Sequence, residues 1–200
     1  MPAINQVFSA MNAYNIENRV SNKHTSKKQK IEKQTADLYA DLFSRNTDKE
    51  FFQKSQNYIS RIKIKKDWFS GKTCLDAGCG SGIASYSFAT INKTKVIGFD
   101  ISWACLNIAQ KRLKMLNNFF SVQASTEAIP FKDNSFDFIN CNGVLHHIFD
   151  ADIALSELFR ILKPGGLLFI GVYGRRGLMN EYKIKACRFF SKFVPYTLLR

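Results

Sequence analysis

Three glycines spaced two apart, Gly78, Gly80 and Gly82, sit between the apolar run at 73–77 and the segment Ile83-Ala84-Ser85. Few patterns restrict a chain as much. Side-chain-free positions at this spacing let the backbone turn sharply from a strand into a helix, and they let a ligand approach the main chain. The surrounding texture fits that turn. Short apolar runs at 73–77, 95–100, 119–124, 136–141 and 167–173 read as strands, separated by helical stretches at 82–90, 103–117 and 151–162. The Lys163-Pro164-Gly165-Gly166 turn closes the last helix, because proline cannot continue it and glycine tolerates positive φ. Short connections and right-handed crossovers then predict an α/β fold, a doubly wound Rossmann-like, mostly parallel sheet with flanking helices.

The chain ahead of this unit reads differently. Residues 1–30 are polar, end in Lys27-Lys28-Gln29-Lys30 and predict a loose arm, with a short amphipathic helix around Phe8, Met11 and Tyr14. Residues 31–45 and 48–66 have helical periodicity. The organisation expected is therefore a basic N-terminal arm with helices over 1–70, a core over 71–173, and a basic, aromatic C-terminal helix over 174–200. Charge follows the same division. Residues 1–70 hold 13 basic and 7 acidic side chains, net +6; residues 71–173 hold 9 and 8, net +1; residues 174–200 hold 7 and 1, net +6. The basic flanks are read either as a solvated surface or as contacts to phosphates or an anionic membrane surface. The tail at 183–194 is read as an amphipathic helix on the sheet or an interfacial helix.

Composition narrows the class further. With 14% aromatic residues the chain has ample apolar surface for a core, which excludes disorder for most of it. No run approaches the roughly 18 to 20 apolar residues of a membrane helix, and Met1–Ser9 has no secretion signal. Five scattered cysteines without a CxxC pair fit free thiols in a reducing cytoplasm, and they argue against disulfides and zinc.

Asp100 ends the second predicted strand, 18 residues beyond Gly82. A carboxylate there is placed to accept both hydroxyls of a ribose over the glycine loop, or else to cap the following helix. Ile83 stands where a dinucleotide fingerprint would have its third glycine. The ordered segments LDAGCGSG, VIGFDIS, STEAIPF, SFDFINCNGVLHHI and RILKPGGLL resemble the motifs of class I S-adenosylmethionine-dependent methyltransferases, in the branch with quinone-biosynthesis and other small-molecule enzymes. The resemblance covers about 72–173. It implies S-adenosyl-L-methionine as cofactor, with Gly78, Cys79, Gly80 and Gly82 under its methionine part and Asp76 near its amino group. It further implies Asp100 on the ribose, Ile101 on the adenine face, Ser125 and Thr126 near the adenine amino group, and Asn142 beside the transferred methyl. Ser125 stands where the family commonly has Asp, so that contact would be uncharged. His146 and His147 follow, and adjacent side chains diverge, so at most one faces the site; no catalytic residue is assigned.

The reaction implied is in-line methyl transfer to a small-molecule or lipid-like acceptor, with no metal. A tRNA of the wobble-uridine type is the alternative acceptor, and a catalytically incomplete cofactor-binding module is the alternative class. The absence of Asn/Asp-Pro-Pro-aromatic after the fourth strand argues against methylation of base amino groups. The family has seven strands and this sequence supplies five, so a truncated product with an exposed edge at 167–170 is expected first, the alternatives being covering strands from another chain or residues 1–70 folded over that edge.

Overall fold

The computed structural model describes residues 24–148 and 150–172. Its centre is a five-stranded sheet of order β3-β2-β1-β4-β5, parallel at every pairing. The strands are β1 (Thr73–Ala77), β2 (Lys95–Asp100), β3 (Phe119–Gln123), β4 (Phe136–Asn142) and β5 (Leu162–Gly171). The helices are α1 (His24–Ser44), α2 (Asp48–Gln56), α3 (Tyr58–Arg61), α4 (Ile83–Ala89), α5 (Trp103–Leu113) and α6 (Ala151–Ile161). Two short 3-10 turns, Lys66–Phe69 and Leu145–His147, complete them.

Strand periodicity divides the core into two layers. Leu75, Ala77, Ile139 and Cys141 pack with Ala154, Leu158 and Ile161 of α6 on one face. Cys74, Val96 and Phe138 pack with Ala84 and Phe88 of α4, and with Tyr58, Ile62 and Phe69, on the other. Alternate residues of the same strands thus bury against opposite helical layers, as a doubly wound sheet requires. The predicted α/β class is the observed one.

Several local expectations need correction. Residues 24–30 belong to α1, not to a loose arm. The single helix expected over 48–66 is broken at Asn57, which leaves α2 and α3 separate. The Thr47 hydroxyl accepts from the Glu50 amide and the Glu50 carboxylate accepts from the Thr47 amide, a capping box that fixes where α2 starts. The Lys163–Gly166 turn does not precede β5 but bulges within it, so pairing jumps from Phe136–Leu162 to Phe138–Leu167. Ser102, not Asp100, caps α5, its hydroxyl accepting from the Cys105 amide. Among the described strands β5 lies at the sheet edge, with Leu167 40% and Ile170 39% exposed. The helix expected around Phe8, Met11 and Tyr14 and the tail at 183–194 lie outside the described residues.

One buried polar chain ties the layers together. Asp76, 2% exposed at the end of β1, accepts at Oδ1 from Asn140 Nδ2 (2.7 Å) and at Oδ2 from Ser85 Oγ (2.6 Å). The Tyr58 hydroxyl donates to Asn140 Oδ1 (2.8 Å). Sheet, α4 and the N-terminal helices therefore meet on one carboxylate. Burial pushes its pKa up to about 6, against the opposing hydrogen bonds of Ser85 and Asn140.

Two outcomes are expected. A folded-state pKa raised above the unfolded value means that the native protein holds the Asp76 proton longer, so stability falls as pH rises from about 4 through about 6. Relative to Asp76→Asn, the wild type should lose on the order of 2–3 kcal/mol between pH 4 and pH 7 in urea unfolding; a pH-independent difference would remove desolvation as the cause. Gly82 caps α4 at φ 84°, and an added Cβ would meet Leu113 Cδ1 at 2.8 Å and Ala109 Cβ at 3.1 Å. Gly82→Ala should therefore destabilise by about 1–3 kcal/mol in the same assay.

Candidate cofactor site

The order of the strands dictates where a ligand can enter. From β1 the chain winds outward through β2 and β3, then returns to β4 on the other side of β1. The loops after β1 and β4 diverge there and leave a crevice at the carboxyl ends of the strands. A cavity of about 530 Å³ occupies this place, inside the range of roughly 300–1,000 Å³ usual for small-molecule sites.

Seven of the ten residues expected at the site line it: Gly78, Gly80, Asp100, Ile101, Ser125, Thr126 and Asn142. Their placement follows from the sheet. Asp100 ends β2, and its carboxylate crosses to the glycine loop, where Oδ2 accepts from the Gly80 amide (2.8 Å) and Oδ1 from the Ser102 amide (2.9 Å). Each oxygen thus has one protein donor and keeps a lone pair for another. Burial raises the Asp100 pKa, and the amides of Ser102, Gly80 and Ile101 work against the rise. Ile101 is 37% exposed at the cavity, an apolar surface next to the carboxylate. The Ser125 hydroxyl accepts from the Glu127 amide (3.3 Å), and Thr126 beside it is buried.

The other three expected residues lie behind the wall. The Asp76 carboxylate points into the interior network. The Cys79 thiol is buried, and burial holds its pKa well above the ordinary thiol value, which leaves it protonated and unreactive. The Cys79 amide donates to the Phe99 carbonyl (2.9 Å), so it helps pin the loop to β2. Gly82 faces α5. Ser81, in the same loop, has a buried hydroxyl with no hydrogen-bond partner among the described residues.

The wall that sequence reasoning missed is α1. Thr35, Ala36, Tyr39, Leu42 and Phe43 all line the cavity. The Phe43 ring lies over Gly80 so closely that a Cβ there would meet it at 2.6 Å, and Gly80 has φ 52°; both facts demand glycine. The apolar face of residues 31–45 was visible as a pattern, but nothing in it named the surface it covers. Of the two histidines, His147 lines the cavity and His146 does not. His147 Nε2 is 2.7 Å from Tyr39 Oη, and burial together with the neighbouring His146 lowers its pKa. Arg61 of α3 is a further lining residue that the sequence did not single out.

Residues 75–170 match the family described as a methyltransferase domain. The ubiquinone/menaquinone biosynthesis C-methyltransferase UbiE of Vibrio cholerae is 39% identical over 105 residues, 50% of this chain and 40% of its own length. The protein of the same name from Francisella tularensis is 33% identical over 147 residues, 68% of this chain and 57% of its own. The chain thus spans about half the length of the curated relatives it matches. Among solved structures, a SAM-dependent methyltransferase from Aquifex aeolicus shares 25% identity at a TM-score of 0.52, over 62% of this chain and 68% of that one. A protein from Methanococcus maripaludis ascribed to the S-adenosyl-L-methionine-dependent methyltransferases shares 26% at 0.52, over 88% and 78%. Sequence and fold agree over the same segment, and residues 75–170 form a domain of the class I S-adenosylmethionine-dependent methyltransferase family.

Proposed function

We propose that this chain binds S-adenosyl-L-methionine in the cavity between the glycine loop and α1 and catalyses transfer of its methyl group to a small-molecule or lipid-like acceptor of quinone type. The observation that carries the reading is the Asp100 carboxylate joined to the Gly80 amide at 2.8 Å, which sets a hydroxyl-binding group directly beside the glycine loop on one cavity wall. The names of the UbiE relatives support the acceptor class.

The residues present fit the cofactor. Asp100 would accept the two ribose hydroxyls through its remaining lone pairs, and Ile101 would pack against the adenine. Ser125 and Thr126 would flank the adenine edge with uncharged polar groups. Gly78 and Gly80 would flank the methionine part, with Phe43, which lies against Gly80, as its neighbour. Asn142, at the end of β4, would stand nearest the methyl. Asp76, Cys79 and Gly82 would act indirectly by fixing the loop, since none of them reaches the cavity wall. Bound cofactor supplies a methyl on a sulfonium, already electrophilic, so the protein's task is to hold a nucleophile in line and exclude water. Residues 71–173 would form the cofactor-binding core, with α1 from the N-terminal segment as its cover.

Titration calorimetry with S-adenosylhomocysteine tests this directly. The wild type should bind, and Asp100→Ala should weaken binding roughly 10- to 100-fold, the range for hydrogen bonds to a charged group. A folded wild type that does not bind would overturn the reading. Undiminished affinity in Asp100→Ala would remove Asp100 from the ribose.

A further inference from the structure

Tyr39 and His147 come from segments 108 residues apart and meet at the cavity, Oη to Nε2 at 2.7 Å, with their rings edge to face at 5.3 Å between centroids. Both line the space that Asn142, Val144 and Ile148 also line, all from the end of β4 and the turn after it. This is the part of the site that the cofactor reading leaves for the acceptor. We propose that Tyr39 and His147 form a proton relay that deprotonates the acceptor, and that the acceptor therefore carries an acidic hydroxyl, as a phenol or hydroquinone does. The inference rests on the methyltransferase reading above.

The chemistry follows from which atom holds which proton. A neutral His147 protonated on Nδ1 leaves Nε2 to accept the Tyr39 hydroxyl. Tyr39, which lines the cavity, is then the member of the pair that an acceptor hydroxyl would reach. An acceptor O–H gives its proton to Tyr39 Oη as the Tyr39 proton passes to His147 Nε2, which leaves Tyr39 neutral and His147 an imidazolium. The acceptor oxygen keeps the bonding pair and attacks directly, or it activates the ring carbon beside it, whose own proton moves to the oxygen after methyl transfer and restores the ring. Across the whole transfer the one positive charge of the sulfonium reappears on the imidazolium, which sits near the cavity rim and returns its proton to water. His147 must be neutral for this, and its surroundings favour that form: burial and the adjacent His146 ring, 4.0 Å away between centroids, both disfavour its charge. The other ionisable groups on the cavity wall are Asp100, committed to two amides, and Arg61, a permanent cation. Tyr39 is the group that would touch the acceptor, and His147 acts through it.

Two measurements decide the matter. The first follows the His147 ring by nitrogen-15 NMR across pH in the wild type and in Tyr39→Phe. The wild type should show the Nδ1-protonated tautomer, and Tyr39→Phe should make His147 bind protons more tightly, by about threefold or more, because the donor that favours the neutral ring is gone. An Nε2-protonated ring would overturn the relay. The second uses 4-nitrocatechol, whose ionisation is seen by absorbance, added to protein saturated with S-adenosylhomocysteine. The bound probe should be about tenfold more acidic in the wild type than in Tyr39→Phe or in His147→Gln, each protein being held at saturating S-adenosylhomocysteine. Equal probe acidity in the three proteins, or no binding of the probe to the loaded wild type, would overturn the relay and leave the cofactor reading intact. Failure of the wild type to bind S-adenosylhomocysteine would instead strike at the cofactor reading itself.

Discussion

A carboxylate buried at the end of the central strand constrains everything around it. Asp76 is out of reach of water, and an ion in that position is tolerated only if its oxygens are met by donors. The donors come from two different layers: Asn140 from the neighbouring strand and Ser85 from the helix that follows the glycine loop. Asn140 in turn spends its carbonyl on Tyr58, from the N-terminal helices. Shifting β1 against β4 by a residue, or lifting α3 away, would leave a polar group buried and unpaired. The register at which Asp76 lies opposite Asn140 is thus fixed by chemistry as well as by hydrophobic packing. The same register fixes where the glycine loop leaves the sheet, and so where the cavity forms.

The parts of the fold that were legible in the sequence are those written in local signals. The β1 and β2 boundaries follow from apolar runs ended by glycine or a polar residue, and both strands fall where the pattern puts them. The glycine loop and Asp100 are legible because the turn chemistry and the spacing to the second strand end are both short-range features. What stayed hidden depends on contacts distant in sequence. The Tyr39–His147 pair and the seat of Phe43 over Gly80 each join α1 to loops far along the chain, and no periodicity encodes a partner. Asp76 shows the converse error: its position beside the glycine loop was clear, but the direction of its side chain depends on Asn140 and Ser85, which strand alternation alone does not identify. The break at Asn57 was missed because Phe51, Tyr58 and Ile62 keep one helical phase on either side of the polar stretch 53–57, while the capping box at Thr47 sets the start of α2 and says nothing of its end.

The two sides of the cavity differ in how firmly they are held, and that difference bears on how the site would work. The floor is the parallel sheet and its buried network, whose hydrogen bonds are shielded from water. The cover is α1, attached through polar contacts near the surface: Ser102 Oγ to the Ala36 carbonyl (3.5 Å), an Arg112 amino group to the Asn46 carbonyl just past the helix (2.7 Å), and Tyr39 to His147. Leu38 and Leu42 remain 65% and 54% exposed, so α1 buries only part of its apolar face. Local opening free energies are lowest where apolar burial is small and hydrogen bonds are exposed. Between these two sides, α1 is therefore the element that would swing aside to admit a ligand, while the floor stays in place. The residue that seats α1 over the glycine loop, Phe43, covers the backbone a cofactor would approach. Cofactor entry and the docking of α1 would then be coupled events. Because Tyr39 is on the same helix, only the docked helix brings it to His147, and in the proposed reading the acceptor side of the cavity would be complete only when the cofactor side is covered.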